Sequence, residues 1–260
     1  MNRKKLIAFS ISLAMTVVPV TPAAAAGAEQ NTEGLQNAVL DLEFENSLED
    51  SSGKGNNGTL SSGEAEYVDG VVGKGLKMNG SSYVNLGNST DLQPENLTLS
   101  FWIRPDSDMK GEELISWNKN EWYTDGWYLS SENDNTPLTL SVGPAKTNGQ
   151  PYRVSVSGKR SEFLPTGEWT HIAVTYDKDS KEICFYRNGV KCSTVTTYGI
   201  SGESTGVLGS DATMEKSIGY NGPKYKGAYL KAFLDEYQLY NDVATPEEVI
   251  ALYEESGQDR

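Results

Sequence analysis

The sequence predicts an all-β protein, folded as a sandwich of two antiparallel sheets with one short helix at its C-terminal end. The segment from 169 to 190 carries most of this prediction, because apolar residues alternate in two runs there: Ile172, Val174 and Tyr176, then Ile183 and Phe185. Such alternation is typical of strands that bury one face and solvate the other. Asp177–Ser180 has turn composition, and Asn188-Gly189 is a strong hairpin signal. A three-stranded meander follows.

The rest of the chain repeats this pattern of short strands and close turns. Residues 39–45 alternate strictly, with Leu40, Leu42 and Phe44 on one face and carboxylates on the other. Residues 70–86 predict a hairpin that turns at Asn79-Gly80. Further strands are expected at 97–103, which we interpret as central, and at 114–117, 138–142, 152–156, 217–219 and 232–240.

The closing helix is predicted by its capping residues. Thr245 has the chemistry of an N-cap, Pro246 suits the first helical position, and Glu248 completes a capping box. Val249 begins the apolar stripe, and Gly257 is expected to stop the helix.

Residues 1–26 predict a secretory signal peptide, because a basic start and an apolar run precede four alanines at 23–26. The alternative is an uncleaved membrane anchor, but the apolar run is short for a span. We expect a linker at 27–37, one domain at 38–256 and a tail at 257–260. The protein is therefore expected to be secreted, extracellular or at the cell surface, and monomeric.

The net charge limits the class of partner. The predicted leader holds three basic and no acidic residues, so its removal takes the formal charge from −14 to −17. Such a surface repels phosphate backbones and anionic lipids, which argues against nucleic acid and membranes as partners. It suits neutral or cationic ligands and carboxylate cages for hard cations.

The two cysteines, Cys184 and Cys192, leave two alternatives open. A two-residue loop at Asn188-Gly189 places Cys192 opposite Phe185, so that the thiols face opposite sides of the sheet. A three-residue loop would pair them directly in a disulfide. The Asn-Gly signal favours the shorter loop.

Five segments resemble the bacterial laminin-G-like, concanavalin A-like lectin jelly rolls in the order in which that family carries them. They read GVVGKGLKMNGSSYVNLG, LTLSFWIRP, GEWTHIAVTYD, FYRNGV and AFLDEYQLYNDVATPEEVIALYE. The resemblance covers residues 38–256. It implies a secreted, non-catalytic module that binds a glycan or polysaccharide and is often fused to a polysaccharide-processing enzyme. It also implies a structural calcium ion between the first-strand region and the last strand.

A calcium site is expected at Asp50 and Asp235, which the resemblance makes carboxylate ligands, with Glu45 and Asn57 as further ligands. A turn rich in glycine and asparagine follows Asp50, and such turns supply the backbone carbonyls that Ca²⁺ needs. The alternative is an ordinary turn and a surface carboxylate that hold no metal.

A sugar site is expected in and beside the loop that follows residue 117. Aromatic rings stack on the apolar faces of sugars, while amides and carboxylates bond the hydroxyls. The candidate residues are Trp122, Tyr123, Trp127, Asn120 and Asp125. Trp117 and Tyr128 lie in strand-like alternation and are expected to face inward. The alternative is that the loop packs its aromatic rings on the sandwich.

Two other functions remain open. The same loops could bind a protein, as in an adhesion module. The segment DLEFE at 41–45 superficially resembles the E-x-D-x-E catalytic strand of laminarinase-type jelly-roll glycosidases, but the residue types are exchanged and the strand is the first of the domain. A solvated face explains it better. The only histidine, His171, is expected to be structural.

Overall fold

The structure, a computed structural model, describes residues 35–36, 38–106, 113–119, 126–143, 152–196, 215–220 and 229–257. All of them belong to one compact unit, Glu33–Arg260. The predicted signal peptide and most of the linker lie outside the described residues. Within the described ranges, no helix combines the length and apolar character that crossing a membrane requires.

The described chain forms fifteen strands and two α-helices. The first eight strands are β1 (Ala38–Leu42), β2 (Thr59–Leu60), β3 (Tyr67–Asp69), β4 (Lys74–Asn79), β5 (Val84–Asn85), β6 (Leu97–Pro105), β7 (Glu113–Lys119) and β8 (Gly126–Ser131). The others are β9 (Thr139–Val142), β10 (Tyr152–Ser155), β11 (Thr170–Tyr176), β12 (Glu182–Arg187), β13 (Val190–Thr196), β14 (Ser217–Ile218) and β15 (Lys231–Tyr240). The helices are α1 (Arg160–Phe163) and α2 (Pro246–Glu255).

The strands form two antiparallel sheets. Among the described residues, the eight-stranded sheet has the order β13-β12-β11-β6-β15-β4-β3, with β1 paired to β15. The seven-stranded sheet has the order β10-β9-β8-β7-β14-β5-β2. One core cluster joins their facing sides, and its members include Phe101, Val174 and Phe185 from the first sheet and Leu129 and Ile218 from the second. Burial of each such side chain contributes about 1.5–3 kcal/mol. The two-sheet sandwich is confirmed.

The meander of β11, β12 and β13 is also confirmed. Asn188 and Gly189 both have positive φ, 50° and 73°, and form the predicted two-residue turn. The predicted pairing of Cys192 with Phe185 is wrong, because a β-bulge lies between Phe185 and Tyr186 and sets Ser193 opposite Phe185. Cys184, which is buried, and Cys192, which is exposed, are not joined in a disulfide.

Two predictions about the first half need correction. The first strand ends at Leu42 rather than at 45, because Phe44 adopts a φ of 59°, although its side chain is buried as predicted. The predicted hairpin at 70–86 does not form, because β4 belongs to the eight-stranded sheet and β5 to the seven-stranded one. The Asn79-Gly80 turn therefore carries the chain from one sheet to the other across the core.

The loop after Asp50 closes the free edge of β1. The Asp50 carboxylate Oδ1 accepts from the Asp41 N–H at 2.9 Å, and the Ser51 N–H donates to the Asp41 carbonyl at 2.8 Å. The Asn56 side-chain amide donates to the Val39 carbonyl at 2.7 Å. An edge strand exposes backbone groups that would otherwise pair with another chain. Here side chains and one turn N–H satisfy those groups.

Helix α2 covers part of the outer face of the eight-stranded sheet. The predicted capping box is present, with Thr245 and Glu248 bonded reciprocally. Val249 packs with Ala173, Cys184 and Tyr186 in a second apolar cluster. Beside it, the Tyr253 ring lies 5.5 Å from that of Trp102 and 5.6 Å from that of His171. His171 is buried with its Nε2 2.9 Å from the Ser100 hydroxyl, so its predicted structural role is confirmed.

The closure of β1 by Asn56 can be measured as stability. Asn56→Ala should lower the free energy of unfolding by about 1–3 kcal/mol, because it leaves the buried Val39 carbonyl without a donor. Denaturant unfolding measures the change. Asn88→Ala, an exposed asparagine in a turn, is the matched control and should stay within about 0.5 kcal/mol of the parent chain. Equal losses in both variants would contradict this role for Asn56.

Candidate functional site

Two rows of paired positions, one on each face, run across all seven strands of the seven-stranded sheet. Its inner row crosses all seven strands through directly paired positions: Val154, Leu140, Leu129, Ser116, Ile218, Val84 and Leu60. The row is apolar except for Ser116, whose hydroxyl accepts a hydrogen bond at 2.7 Å from the Tyr237 hydroxyl of the opposite sheet. This face belongs to the core.

The neighbouring row of paired positions has a different composition. It reads Arg153, Ser141, Tyr128, Trp117, Ser217, Asn85 and Thr59, again one residue from each strand. Because successive residues of a strand alternate between faces, these positions belong to the outer face. We call them the outer row. Polar and aromatic residue types together are the chemistry that binds sugars.

The outer-row positions whose side chains are described differ in exposure. Ser141 and Tyr128, on β9 and β8, have no exposed surface, and neither does the neighbouring Ser130. On β2 and β5, Thr59 is exposed and Asn85 is half-buried. The described surface of the outer row that reaches solvent therefore lies on β2 and β5.

A cleft of about 600 Å³ opens at the end of the sheet where β2 begins, β5 ends and β14 begins. We call it the asparagine cleft, after Asn56, Asn57, Asn85 and Asn88, which line it with Thr59, Ser89, Glu215 and others. The side-chain Oδ1 of Asn85 accepts from the Gly87 N–H at 2.7 Å, and the side-chain Oδ1 of Asn57 accepts from the Asp50 N–H at 2.8 Å. Their NH₂ groups remain as donors, and the exposed Glu215 carboxylate is an acceptor. Mixed donors and acceptors of this kind suit hydroxyl groups.

The predicted sugar loop starts and ends at this same end of the sheet. Lys119 pairs with Gly126, and the Gly143 N–H donates to the Gly126 carbonyl at 2.7 Å. Asn120, Trp122, Tyr123 and Asp125 themselves lie outside the described residues. The end of the sheet that the sequence selected is thus the end where the cleft lies.

Trp127 was predicted to contact sugar, and the structure places it elsewhere. It pairs with Val142 on the inner face, belongs to the core cluster and is only 2 % exposed. The prediction is wrong because Trp127 is two residues from Leu129 and shares its inward face. Tyr128 is buried as expected, but its position belongs to the outer row. The side chain of Trp117 is outside the described part of the structure.

Three tyrosines that the sequence interpretation missed form a stack beside the cleft. The ring centroids of Tyr83 and Tyr220 lie 4.8 Å apart, and those of Tyr220 and Tyr229 lie 4.6 Å apart. Burial raises the pKa of Tyr83, and Glu215 and Tyr229 raise it further. The Tyr83 phenol therefore stays protonated at neutral pH. The alternation of Tyr83, Val84 and Asn85 could have placed Tyr83 outward, but the contact with 220 and 229 needs the fold.

The four predicted calcium ligands divide into two separate pairs. Asp50 and Asn57 belong to the loop that closes β1, where the Asp50 carboxylate accepts from the N–H groups of Asp41, Ser52 and Asn56. Burial alone would raise the pKa of Asp50, but these hydrogen bonds and that of the Ser52 hydroxyl hold it below its usual value.

Asp235 and Glu45 hold a different turn, Gly70–Gly73. Asp235 is fully buried, and its Oδ2 accepts from the N–H groups of Val71 and Val72 at 2.6 and 3.0 Å. Glu45 Oε1 accepts from the Lys74 N–H at 2.7 Å. A Cβ at Gly70 or at Gly73 would clash with these carboxylates, so both glycines are required by close approach.

This arrangement does not fit a single calcium shell made by Asp50, Asp235, Glu45 and Asn57. Each of the three carboxylates already accepts hydrogen bonds from backbone N–H groups. Among the described residues, no three His, Cys, Asp or Glu side chains lie close enough to hold a metal ion. Asp50 and Asn57 stabilise one loop through these hydrogen bonds, and Asp235 and Glu45 stabilise another.

A β-bulge in β15 places Glu236 close to other carboxylates, including that of Asp235. Pairing with β6 shifts register between Asp235 and Gln238, and Glu236 adopts a φ of 46°. Burial, followed by the nearby carboxylates of Asp235, Asp41 and Glu43, raises the pKa of Glu236 to about 8. Burial likewise raises the pKa of Asp235 to about 6, despite its three backbone hydrogen bonds.

Comparisons with known proteins agree on the fold. The family model of the concanavalin A-like lectin/glucanases superfamily matches residues 78–250. Domain 4 of AbnA, a GH43 extracellular arabinanase from Geobacillus stearothermophilus solved in complex with arabinotriose, is 22 % identical, with a TM-score of 0.63 over 85 % of this chain and 100 % of that domain. No curated protein sequence matches the chain.

Toxin binding domains are similar over part of their length. The binding domain of Paraclostridial Mosquitocidal Protein 1 is 22 % identical, with a TM-score of 0.62 over 84 % of this chain and 52 % of that one. A botulinum neurotoxin type C structure, whose description makes cell entry dependent on two ganglioside molecules, is 16 % identical, with a TM-score of 0.61 over 85 % and 51 %. At these identities the likeness establishes the fold alone.

The raised carboxyl pKa values predict a stability that falls as pH rises. The folded chain holds protons on Asp235 and Glu236 up to about pH 6 and 8, whereas the ordinary values are 3.8 and 4.5. The folded state therefore binds more protons between those limits, and the free energy of unfolding should decrease from pH 5 to pH 8. Glu236→Gln should remove about 1–2 kcal/mol of that decrease. The exposed Glu64→Gln should leave the slope unchanged; equal slopes in all three chains would contradict the assignment.

Calcium at Asp50 and Asp235 can be tested by chelation. Because hydrogen bonds hold both loops, the melting temperature should change by less than about 2 °C when EDTA is added and when calcium is restored. Loss of a structural ion worth more than about 2 kcal/mol would lower it by about 5 °C or more in a domain of this size. A reversible drop of that size would restore the calcium assignment.

Proposed function

Because the chain belongs to the concanavalin A-like lectin/glucanase superfamily, we propose that it is a carbohydrate-binding module without catalytic activity. It acts outside the cell, in keeping with the predicted leader at 1–26, in association with a polysaccharide-processing system. The neighbours named above support this, since one is a domain of an arabinanase in complex with arabinotriose. The partner is a glycan or polysaccharide.

The outer row is the observation that carries this proposal. Polar and aromatic residue types occupy one position on each of seven strands, while the paired inner row is apolar except for Ser116. The exposed Thr59 and the half-buried Asn85 of this row line the asparagine cleft. The cleft lies at the end of the sheet where the predicted sugar loop begins and ends.

The carboxylates of DLEFE support binding rather than hydrolysis. Asp41 lies on β1 in the eight-stranded sheet, not on the face that carries the outer row. The positive φ at Phe44 interrupts the alternation before Glu45, so Asp41, Glu43 and Glu45 do not line one strand. Glu45 is bonded to the Lys74 N–H. A retaining glycosidase needs two carboxyls facing each other across one bound sugar.

Binding to a panel of neutral polysaccharides tests the proposal. Trp122→Ala should weaken the Kd at least about tenfold, because about 1.4 kcal/mol corresponds to one lost stacking contact. Glu43→Ala should bind like the parent chain, because its carboxylate lies on the other sheet. Affinity electrophoresis gives the ranking and calorimetry the Kd.

Three outcomes would contradict this function. Binding unaffected by Trp122→Ala would move the site away from the loop. Hydrolysis of a polysaccharide that Glu43→Ala abolishes would identify a glycosidase. If the parent chain binds no glycan but specifically retains a surface protein in a pull-down, the protein is an adhesion module.

A further inference from the structure

Tyr83, Tyr220 and Tyr229, which we call the tyrosine stack, lie in mutual contact with nearly parallel rings. The centroids of Tyr83 and Tyr229 lie 6.5 Å apart, and each lies closer to the centroid of Tyr220, at 4.8 and 4.6 Å. The three centroids therefore form a triangle and not a line. The ring planes lie within 22° of parallel. Tyr220 is 8 % exposed, while Tyr83 and Tyr229 are both half-buried.

The stack stands on fixed backbone next to the asparagine cleft. Tyr83 donates its N–H to the Ser61 hydroxyl at 3.0 Å, and the Ser61 N–H donates to the Tyr83 carbonyl at 2.9 Å. The Ser217 hydroxyl donates to the Tyr220 carbonyl at 2.6 Å. Tyr83 is two residues from Asn85 of the outer row, and Glu215 of the cleft acts electrostatically on Tyr83. The Tyr83 end of the stack is therefore close to the cleft.

Core packing alone does not account for the stack. Val84, the inward neighbour of Tyr83, belongs to the core cluster, whereas none of the three tyrosines does. Tyr83 alternates outward with Asn85, and the rings of Tyr220 and Tyr229 contact it and each other. Rings held rigidly by their backbone lose little conformational entropy when a ligand covers them.

We infer that the tyrosine stack is a sugar-stacking subsite, which continues the asparagine cleft and binds a neutral polysaccharide over more than one sugar ring. This inference rests on the proposed function and adds the subsite and the ligand class. Aromatic faces contact the apolar faces of sugar rings, and the amides of Asn57 and Asn85 donate to hydroxyls. The formal charge of −14 and the Glu215 carboxylate disfavour anionic polysaccharides.

Affinity for the neutral polysaccharide that binds best in the panel tests the subsite. Tyr83→Leu and Tyr229→Leu keep apolar bulk but remove the aromatic face, and each should weaken the Kd at least tenfold. Tyr83→Phe keeps the face and should stay within threefold. In the two leucine variants, the affinity for a disaccharide of the same polymer should fall by a smaller factor than the affinity for the polymer, because the disaccharide covers fewer subsites. The exposed Ile250→Ala, on the helix of the opposite sheet, is the matched surface control and should bind like the parent chain.

Chemical protection supplies a readout that does not depend on the folding of variants. In the parent chain, saturating polysaccharide should reduce nitration of Tyr83 and Tyr229 by tetranitromethane several-fold, as measured by mass spectrometry of peptides. The half-buried Tyr67 on β3 of the other sheet is the internal control and should react equally with and without ligand.

The outcomes separate the subsite from the function. If Trp122→Ala loses binding, while both leucine variants bind normally and nitration is unprotected, the subsite is overturned and the proposed function stands. If the parent chain binds no polysaccharide, the function fails and the subsite with it. Preferential binding of an anionic polymer would overturn the ligand class. Loss of affinity in the leucine variants, together with protection of Tyr83 from nitration by the ligand, supports the inference. If those variants do not fold, the nitration result in the parent chain decides whether the subsite exists.

Discussion

The pairing of β15 with three strands is the interaction on which the rest of the structure depends. It pairs with β6 along one edge, and along the other with β4 in its first half and β1 in its second. The last strand of the chain therefore fixes the first strand and the hairpin of β3 and β4. The change of partner coincides with the bulge at Asp235–Gln238, and the carboxylate of Asp235 holds the turn that ends β3. A buried acid is costly, and three backbone N–H groups offset that cost.

The elements that follow from short-range patterns could be predicted from the sequence. The meander, the Asn188-Gly189 turn, the alternating inner residues and the capping box of α2 depend on neighbours a few residues apart. The partners of β4 and β5 could not be predicted, because alternation shows that a strand has a buried face but not which sheet it joins. The bulges at Cys192 and Glu236 were also missed. They insert one residue without any change in residue type that the sequence displays.

The candidate site shows the same division. The loop after residue 117 was selected because aromatic and amide residues are concentrated in a few positions, and the ends of that loop do lie beside the asparagine cleft. The tyrosine stack was missed because Tyr83 lies far along the chain from Tyr220 and Tyr229, and β14 must pair with β5 to bring them together. The resemblance placed Asp50 and Asp235 in one calcium site, whereas in the fold each carboxylate accepts hydrogen bonds from a different turn. Long-range contacts decide both cases.

The two outer faces of the sandwich differ in a way that determines where a ligand can bind. On the eight-stranded sheet, α2 and the ring contacts of Tyr253 with Trp102 and His171 occupy part of the outer face, and carboxylates collect around Glu236. Burial of those rings stabilises the helix but leaves less surface for a ligand. On the seven-stranded sheet, neither described helix shares an apolar cluster with the outer row. The rings of the tyrosine stack contact each other. In the proposed function, ligand binding belongs to the seven-stranded sheet, whereas α2 packs on the eight-stranded one. Substitutions in the tyrosine stack are therefore expected to change binding without removing the contacts that hold β15.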